Sequence, residues 1–417
     1  MNRFNLTSIL LILFLVLSEH AASAQIDPPD NIQRPANYAP IKQHRFTGDW
    51  YMVVGSDPQF PFPPKNLKNA TDDRKRLHSV ASMKASIGTI NWLQRATRGR
   101  VKGLILNGDL TNSGSEEQMK VYETLYKDLK VPLYPGLGNH DFNKNDKNAI
   151  RSIQYLSKKV IKHRIPPYSP DYHNLIKKVV TGKANTIEFN NPAYSFDALI
   201  KDNNPPGDKE NPYPAIKRLD GSLAYSWEVG DIHFVQLNNH PLYIHKARNS
   251  YDWDANILPS LVWLYGDLQQ ARNRGKQIIV NFHQMGDDKC HFPLPLTGEL
   301  QNGAKLSRDQ RELMNKVFAD IMNRFKVLAI FVGHQHESFG ITGQNIQYKG
   351  ENILDVPVFK CGAVFYHNLM TIEVFERERK IIIHPLRSRL KVSPTNITQP
   401  KLISEIDLNN PYQINYR

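Results

Sequence analysis

The sequence predicts an α/β fold, and two kinds of observation support this prediction. Short apolar runs alternate along the chain with longer segments of helical periodicity. The clearest unit is a strand at residues 103–106, a helix from Glu116 to Lys130 and a second strand near Tyr134. Several predicted strands also end in polar residues, and open α/β sheets bind ligands at the carboxyl ends of their strands. We therefore expect a ligand site at one edge of a sheet.

The size and charge of the chain limit the classes of protein to consider. Its 417 residues suit one large domain or two ordinary ones, and 40% hydrophobic with 22% charged residues is typical of a packed core. The formal net charge of +13 favours anionic partners such as phosphorylated substrates, anionic lipid or polyanions, although a merely soluble basic protein is an alternative. No tight cluster of Lys and Arg with interleaved aromatic residues stands out, so dedicated nucleic-acid binding is not indicated.

The first 24 residues have the pattern of a secretory signal peptide. Arg3 gives a positive start, residues 6–17 form an apolar run, and Ala22 to Ala24 form a small-residue cleavage site. We expect the mature protein to begin at Gln25 and to be secreted or periplasmic, with a retained N-terminal anchor as the alternative. No later stretch approaches the roughly 20 apolar residues of a membrane helix, so we expect no transmembrane segment.

The rest of the chain divides by composition. Residues 25–45 are rich in Pro and polar residues and predict a leader without its own core. The main domain is predicted over 46–390. Within it, residues 142–220 are rich in Lys and Asn and predict an inserted cap, or simply a long surface excursion, outside the sheet. Residues 391–417 predict a polar C-terminal tail with little order.

Two cysteines occur, Cys290 and Cys361. In an oxidising compartment they could pair, and two separate buried thiols are the alternative. So few cysteines beside so many histidines do not favour a thiolate metal site.

The remaining elements follow from their apolar periods. In chain order they are a strand at 50–56, helices at 73–98 and 150–164, a hairpin of strands at 222–229 and 232–237, a helix at 258–274, a strand at 277–282, a helix at 305–325 and a strand at 327–332.

Five of the predicted strands end in residues that can bind a metal ion. These residues are Asp57, Gln59, Asp109, Asn139, His283, His334 and His336. Oxygen donors mixed with imidazoles suit divalent or transition-metal ions such as Mn, Fe or Zn. Because alternate side chains of an extended segment lie on the same face, His334 and His336 could serve two neighbouring ions.

In this order the residues resemble the signature of the calcineurin-like metallophosphoesterases. The motifs read Asp57-Pro58-Gln59, Gly108-Asp109, Gly138-Asn139-His140-Asp141, His283 and Gly333-His334-Gln335-His336. The resemblance implies a four-layer α/β/β/α sandwich of two mixed sheets with a binuclear metal centre. It implies that one ion is held by Asp57, Gln59, Asp109 and His336, and the other by Asp109, Asn139, His283 and His334.

Gln59 departs from the family pattern, which usually has His at this position. Some members resemble this chain in having Asp-Pro-Gln-Phe there, and a Gln carbonyl oxygen is a weaker ligand than imidazole. The change bears on the affinity and identity of the first metal, and it leaves a one-metal or inactive protein as an alternative. No Tyr follows Asp109 where purple acid phosphatases carry one, which argues against that subfamily.

The activity that the resemblance implies is hydrolysis of phosphomonoesters or phosphodiesters. Two cations would neutralise the phosphoryl oxygens and lower the pKa of a bridging water, which attacks as hydroxide. His140, beside Asn139 but assigned to no metal, would give the leaving group a proton. Asp141 would orient His140 or its loop, with a turn cap as the alternative.

Two classes of function stay open at this point. The first is a secreted phosphoesterase that acts on a phosphorylated small molecule or a phospholipid-type substrate. The second is a non-catalytic binding protein that keeps the fold and uses a basic cap to bind an anionic partner. The oligomeric state is not predicted.

Overall fold

The computed structural model describes most of the predicted main domain. The described residues are 46–62, 69, 71–142, 145–164, 195–197, 199–201, 218–248, 254–285, 308–337, 339–342, 347–348, 351–387, 389–393, 396–403 and 411–416. The predicted signal peptide and leader, most of the predicted cap, and Cys290 lie outside them.

The described elements alternate between strands and helices. The strands are β1 Trp50–Gly55, β2 Val101–Leu106, β3 Leu133–Pro135, β4 Ser195–Phe196, β5 Leu199–Lys201, β6 Arg218–Gly221, β7 Tyr225–Val229, β8 Ile232–Gln236, β9 His245–Arg248, β10 Asp254–Ile257, β11 Gln277–Phe282, β12 Ala329–Val332, β13 Phe339–Thr342, β14 Gln347–Tyr348, β15 Glu351–Asn352, β16 Val358–Cys361, β17 Asn368–Phe375, β18 Lys380–Arg387, β19 Arg389–Ser393, β20 Asn396–Ile403 and β21 Tyr412–Asn415. The helices are α1 Asp72–Ala96, α2 Glu116–Tyr126, α3 Asn139–Phe142, α4 Asp146–Arg164, α5 Leu261–Asn273 and α6 Arg308–Arg324, with a 3-10 turn at Val364–Tyr366.

Two mixed sheets form the body of the fold. The first has six strands in the order β21-β18-β17-β1-β2-β3, and the second has seven in the order β13-β16-β12-β11-β8-β7-β4. In the first sheet β1, β2 and β3 are parallel, and in the second β8, β11, β12 and β16 are parallel. The predicted α/β class with two mixed sheets is confirmed. Each parallel set brings its carboxyl ends to one edge.

Aromatic side chains fill the space between the two sheets. The ring of Tyr134, on β3, stacks on Trp227 of β7 with 4.2 Å between centroids and 3° between planes. Trp227 in turn stacks on Phe234, which Trp50 of the first sheet meets edge to face. Aromatic pairs of this kind add about 0.5–1.5 kcal/mol beyond the area they bury. The two sheets are therefore fixed against each other by specific side-chain contacts.

Helices cover the outer faces of the sheets. In α1, Met83, Ile87 and Ile90 join the core of the first sheet, while α5 and α6 bury a second cluster against the other sheet. The start of α1 is capped by Thr71, whose hydroxyl accepts a hydrogen bond from the Arg74 backbone N–H. None of the described helices is both long and apolar enough to cross a membrane.

The predicted cap at residues 142–220 is partly wrong. Its first part forms α4, whose Ile153, Leu156 and Val160 are buried in the main core. Ser195–Phe196 pairs antiparallel with β7 and continues the second sheet at its edge. The segment therefore contributes to the body of the fold, because its apolar residues at helical spacing pack against the first sheet.

The predicted disorder of residues 391–417 is also wrong for the described part. β19 and β20 form a hairpin, and Tyr412–Asn415 pairs with β18 as the outer strand of the first sheet. Alternate residues Tyr412, Ile414 and Tyr416 are buried in the core, which is the period of a half-buried strand. The domain thus extends beyond the predicted boundary at residue 390. Cys361 is a buried free thiol.

Candidate metal centre

The proposed metal ligands follow the carboxyl ends of strands from both sheets. Asp57 and Gln59 follow β1, Asp109 follows β2, and Asn139 opens α3 after β3. From the second sheet, His283 follows β11, and His334 and His336 follow β12. The two sheets pack face to face, so one shared edge collects side chains that are far apart in sequence.

Four of these residues have a left-handed backbone, which is rare for any residue except glycine. The φ angles are 51° at Asp57, 38° at Gln59, 49° at Asp109 and 66° at His334. Each such conformation costs on the order of 1–3 kcal/mol and persists only where surrounding contacts fix it. At Asp57 and Gln59 the fixing contacts are main-chain hydrogen bonds to the carbonyls of Gly108 and Asp109, of 3.1 and 2.8 Å.

Two groups of side chains at this edge could each hold a metal ion. One consists of Asp109, His283 and His334, and the other of Asp57, Asp109 and His336; within each group the ligand atoms lie within 4.8 Å of one another. Asp109 belongs to both. One carboxylate is thus common to two groups of candidate metal ligands.

Two buried oxygen atoms in the loop that follows β1 have no hydrogen-bond partner. They are Oδ1 of Asp57 and Oε1 of Gln59. A buried carboxylate or amide oxygen that is left unpaired costs about 1–3 kcal/mol or more, so each requires an explanation. Oδ1 of Asp57 also lies 3.3 Å from Nε2 of His336. A divalent cation bound by oxygen and imidazole donors would satisfy both atoms, so the residues present fit a metal ion.

The remaining proposed ligands lie at the same point. Oδ1 of Asn139 is 2.9 Å from Nε2 of His283, and that nitrogen is 3.3 Å from Oδ2 of Asp109. Nε2 of Gln59 is 3.5 Å from the same Asp109 oxygen. The ring of His336 is held between Phe62 and Phe365, with centroid distances of 5.1 and 4.8 Å.

The charges at this edge shift the pKa values of its members in opposite directions. Burial alone would raise the pKa of Asp109, but the imidazole of His283 outweighs it and lowers the pKa to about 2. Burial alone would lower the pKa of His283, but Asp109 and then Asp57 raise it to about 9. Burial and the nearby His283 lower the pKa of His334 to about 4. The carboxylate of Asp109 is therefore ionised at neutral pH, as a metal ligand must be.

His140 lies beside these ligands with one ring nitrogen occupied. Its Nδ1 donates to the backbone carbonyl of Asn112 at 3.0 Å, and its backbone N–H donates to Oδ1 of Asp109 at 2.8 Å. The ring is partly exposed. Nε2 is the nitrogen left to exchange a proton with a bound molecule.

Asp141 has a different place from the one that direct orientation of His140 would require. Its carboxylate accepts hydrogen bonds from the backbone N–H groups of Gly138, Leu110 and Thr111 at 2.9–3.3 Å, and it lies 3.5 Å from the Thr111 hydroxyl. Burial, and next the charge of Asp109, raise its pKa to about 7. Asp141 therefore connects the loop that follows β2 to the loop that follows β3 by hydrogen bonds.

A supporting residue that sequence reasoning did not single out is Asn107. Its backbone carbonyl accepts hydrogen bonds from the Ser56 hydroxyl and from Nδ1 of His283, both at 2.8 Å. Its side chain donates to the carbonyl of Phe331 and accepts from Gln236, both at 3.0 Å. A polar residue at the end of an otherwise apolar strand was the only signal in the sequence. Asn238 likewise follows a strand, and its side chain accepts a hydrogen bond from the backbone of Leu137 at 3.1 Å.

The fold and the candidate ligands together define a class of protein. It is an α/β sandwich in which carboxylates, amides and imidazoles lie together at the carboxyl ends of the strands, as in hydrolases that use divalent metal ions. Comparison with protein families specifies the class further. The family described as calcineurin-like phosphoesterase matches residues 77–338, which is more than half of the chain. The chain therefore belongs to the calcineurin-like phosphoesterase family. The match begins after Asp57 and Gln59, so it does not include the first motif.

Comparisons with individual proteins give distant similarities. The purple acid phosphatase PPD1 from yellow lupin seeds is 11% identical, with 88% of this chain and 53% of that chain covered and a TM-score of 0.42. PhoD is 9% identical, with 93% and 74% covered and a TM-score of 0.39. TT1561 of Thermus thermophilus is 9% identical, with 81% and 98% covered and a TM-score of 0.37. The chain spans about half the length of the lupin protein. No curated protein matches the sequence.

Proposed function

We propose that this protein is an exported phosphoesterase that hydrolyses phosphomonoester or phosphodiester bonds with two divalent metal ions. The observation that carries the proposal is the pair of ligand groups that share Asp109, together with the unpaired buried oxygens of Asp57 and Gln59. Export is proposed from the pattern of residues 1–24 alone. An exported enzyme with a basic surface would meet phosphorylated small molecules and phospholipid-type substrates.

The residues divide into two ligand sets. Asp57, Gln59, Asp109 and His336 would hold one ion, and Asp109, Asn139, His283 and His334 the other. When bound, two divalent ions neutralise the charge of a phosphoryl group and acidify water. The ions could be Mn, Fe or Zn, since all three accept mixed oxygen and imidazole donors.

His140 has the geometry of a proton donor for the leaving group. With Nδ1 held by the Asn112 carbonyl, Nε2 of this partly exposed residue is the ring nitrogen left for proton transfer. Transfer of a proton from Nε2 to the leaving oxygen would prevent the build-up of charge on an alkoxide, and such transfers contribute about 10²–10⁴-fold in rate. Asp141 acts through the loops and is a positioning residue.

Metal content and two substitutions test the proposal. The purified full chain should contain close to two transition-metal ions and, after loading with Mn²⁺, should hydrolyse p-nitrophenyl phosphate or bis(p-nitrophenyl) phosphate. We expect Asp109→Asn to lose both ions and activity, because both ligand groups include this carboxylate. We expect His140→Ala to keep both ions and lose about 10²–10⁴-fold in rate. Asp128→Asn, an exposed substitution of the same kind, is the matched control.

Each result has a distinct meaning. Absence of turnover of either phosphoester with several metals would contradict the catalytic function. Loss of metal from His140→Ala would contradict the role given to His140. A folded wild-type chain that binds no metal would favour the alternative, a non-catalytic protein that binds an anionic partner; the motivation for that alternative is Gln59 in place of a stronger imidazole ligand.

A further inference from the structure

The two ring nitrogens of His334 have different surroundings. Nδ1 lies 3.3 Å from Nε2 of His283, and that nitrogen is in turn 3.3 Å from Oδ2 of Asp109. Nε2 faces the other way and lies 3.2 Å from the side-chain amide of Gln284. The rings of His334 and His283 are nearly perpendicular, at 80° with 5.1 Å between centroids, so they can direct one nitrogen each to a common point.

His283 shows how a second contact selects the nitrogen that is free for a metal. Its Nδ1–H donates to the backbone carbonyl of Asn107 at 2.8 Å. When an ion is bound, Nε2 would give its lone pair to that ion; it lies 2.9 Å from Oδ1 of Asn139 and 3.3 Å from Oδ2 of Asp109. An imidazole that binds a metal through one nitrogen must carry its proton on the other, and that N–H needs an acceptor.

In His334 the two nitrogens have the opposite roles to those in His283. If Nδ1 binds the metal, Nε2 carries the proton and needs an acceptor. Among the described residues, the side-chain group at hydrogen-bonding distance from Nε2 is the amide of Gln284. A half-turn of this amide about its last bond places the carbonyl oxygen, in place of the NH₂ group, beside Nε2.

We propose that Gln284 is a positioning residue that accepts the Nε2–H of His334 through its Oε1 and thereby holds Nδ1 toward the metal. This inference rests on the proposed metal centre and concerns the ion that His283 and His334 share. Gln284 is itself fixed, because its backbone N–H donates to the carbonyl of Asn239 at 2.7 Å and it directly follows the ligand His283. The contact explains why a glutamine, which can either donate or accept, occupies this partly buried position.

The test measures metal affinity in the full chain, which does not depend on turnover. Metal-free wild type and Gln284→Leu are titrated with Co²⁺ and, in competition with a fluorescent chelator, with Zn²⁺. Supporting contacts of metal-binding histidines are worth about 10–100-fold in affinity. We therefore expect Gln284→Leu to bind one of the two ions about 10–100-fold more weakly, to keep the affinity for the other, and to show an altered Co²⁺ absorption spectrum for the weakened site.

Gln284→Glu determines the direction of the hydrogen bond, because a carboxylate can accept from Nε2–H but cannot donate to a lone pair. We expect this variant to recover the affinity that Gln284→Leu loses. Gln335→Glu is the control for the added negative charge. It places the same charge next to His334, and the described contact of the Gln335 side chain is with Lys360. If Gln284→Leu does not fold, Gln284→Met makes the same test.

Two results would overturn the inference while leaving the proposed function intact. The first is a folded Gln284→Leu or Gln284→Met that binds both ions as tightly as wild type. The second is a Gln284→Glu variant that binds more weakly than Gln284→Leu, which would mean that the amide donates to His334. A wild-type chain that binds no ion would instead overturn the proposed function, and this inference with it.

Discussion

The backbone at Gly138 leaves no room for a side chain, and this gives a sharp test of how the shared carboxylate is held. A Cβ added at Gly138 would lie 2.2 Å from Oδ1 of Asp109 and 2.4 Å from its backbone nitrogen. Ordinary contacts of a Cβ begin at 3.4 Å, so Gly138→Ala requires a displacement of about 1.2 Å at the carboxylate and about 1.0 Å at the main chain. Because a backbone atom is involved, rotation of a side chain alone cannot relieve the overlap.

The displacement acts on both stability and rate. Overpacking of a buried site costs about 1–3 kcal/mol of unfolding free energy. A shift of about 1 Å in a positioned catalytic group can cost about 10²-fold in rate, which equals about 2.7 kcal/mol of activation free energy. Since Asp109 belongs to both ligand groups, we expect Gly138→Ala to lower kcat/KM by about 10²-fold or more and to weaken the binding of both ions.

The assay compares hydrolysis of bis(p-nitrophenyl) phosphate, metal content and urea unfolding of Gly138→Ala with those of Gly266→Ala. Gly266 lies in α5 with nothing within 4 Å of an added Cβ. There we expect unchanged activity and a gain of about 0.5–1 kcal/mol in stability, because alanine favours the helix. A folded Gly138→Ala that keeps wild-type rate and both ions would refute the view that close backbone contact positions Asp109.

Three further predictions concern stability. Burial opposes protonation of His233, but Asp267 and then Glu228 outweigh it and raise the pKa of His233 above the usual 6.5. The stability that protonated His233 contributes is complete below pH 6.5 and is lost as the pH rises through the raised pKa. The difference in urea-unfolding free energy between wild type and His233→Gln should therefore shrink from about pH 6 to about pH 9. Glu373 is buried and lies 2.7 Å from the Tyr51 hydroxyl and 2.9 Å from Nε2 of His384; Glu373→Ala should cost about 3–5 kcal/mol in urea unfolding, and an unchanged midpoint would contradict this. Metal at 100 times its Kd should raise the unfolding free energy by about 2.7 kcal/mol per ion over protein in chelator, whereas equal stability in both would mean that the folded state binds no ion.

Much of the fold could be predicted because its strands and helices carry strong apolar periods. The strand predicted at 277–282 coincides with β11, and the helix predicted at 258–274 contains α5. The C-terminal strand was missed although Tyr412, Ile414 and Tyr416 alternate with polar residues. An outer strand buries only one face, so its composition resembles that of a loop and only the alternation of apolar and polar residues distinguishes it.

The convergence of the candidate ligands at one edge could be predicted from the sequence, whereas their backbone conformations could not. Parallel strands place their carboxyl ends at one edge, so polar residues at strand ends converge whatever their distance in sequence. The sequence gives no sign, however, that Asp109 and His334 adopt left-handed backbones, because neither residue requires it. The role of Asp141 was likewise open, since a carboxylate two residues after Asn139 fits a loop brace as well as a partner of His140.

The left-handed conformations at the candidate ligands require neighbouring residues that are firmly fixed by hydrogen bonds. A strained conformation at a ligand is retained only if its neighbours are fixed more strongly than the strain can displace them. Asn107 meets this requirement, because four of its hydrogen bonds join it to Ser56, His283, Phe331 and Gln236, which come from both sheets. Each bond is buried, so breaking one would leave an unpaired polar group at a cost of about 1–3 kcal/mol, comparable to the strain at one ligand. The edge therefore keeps the arrangement of the candidate ligands through the buried hydrogen bonds of Asn107, and bound ions would not need to impose it.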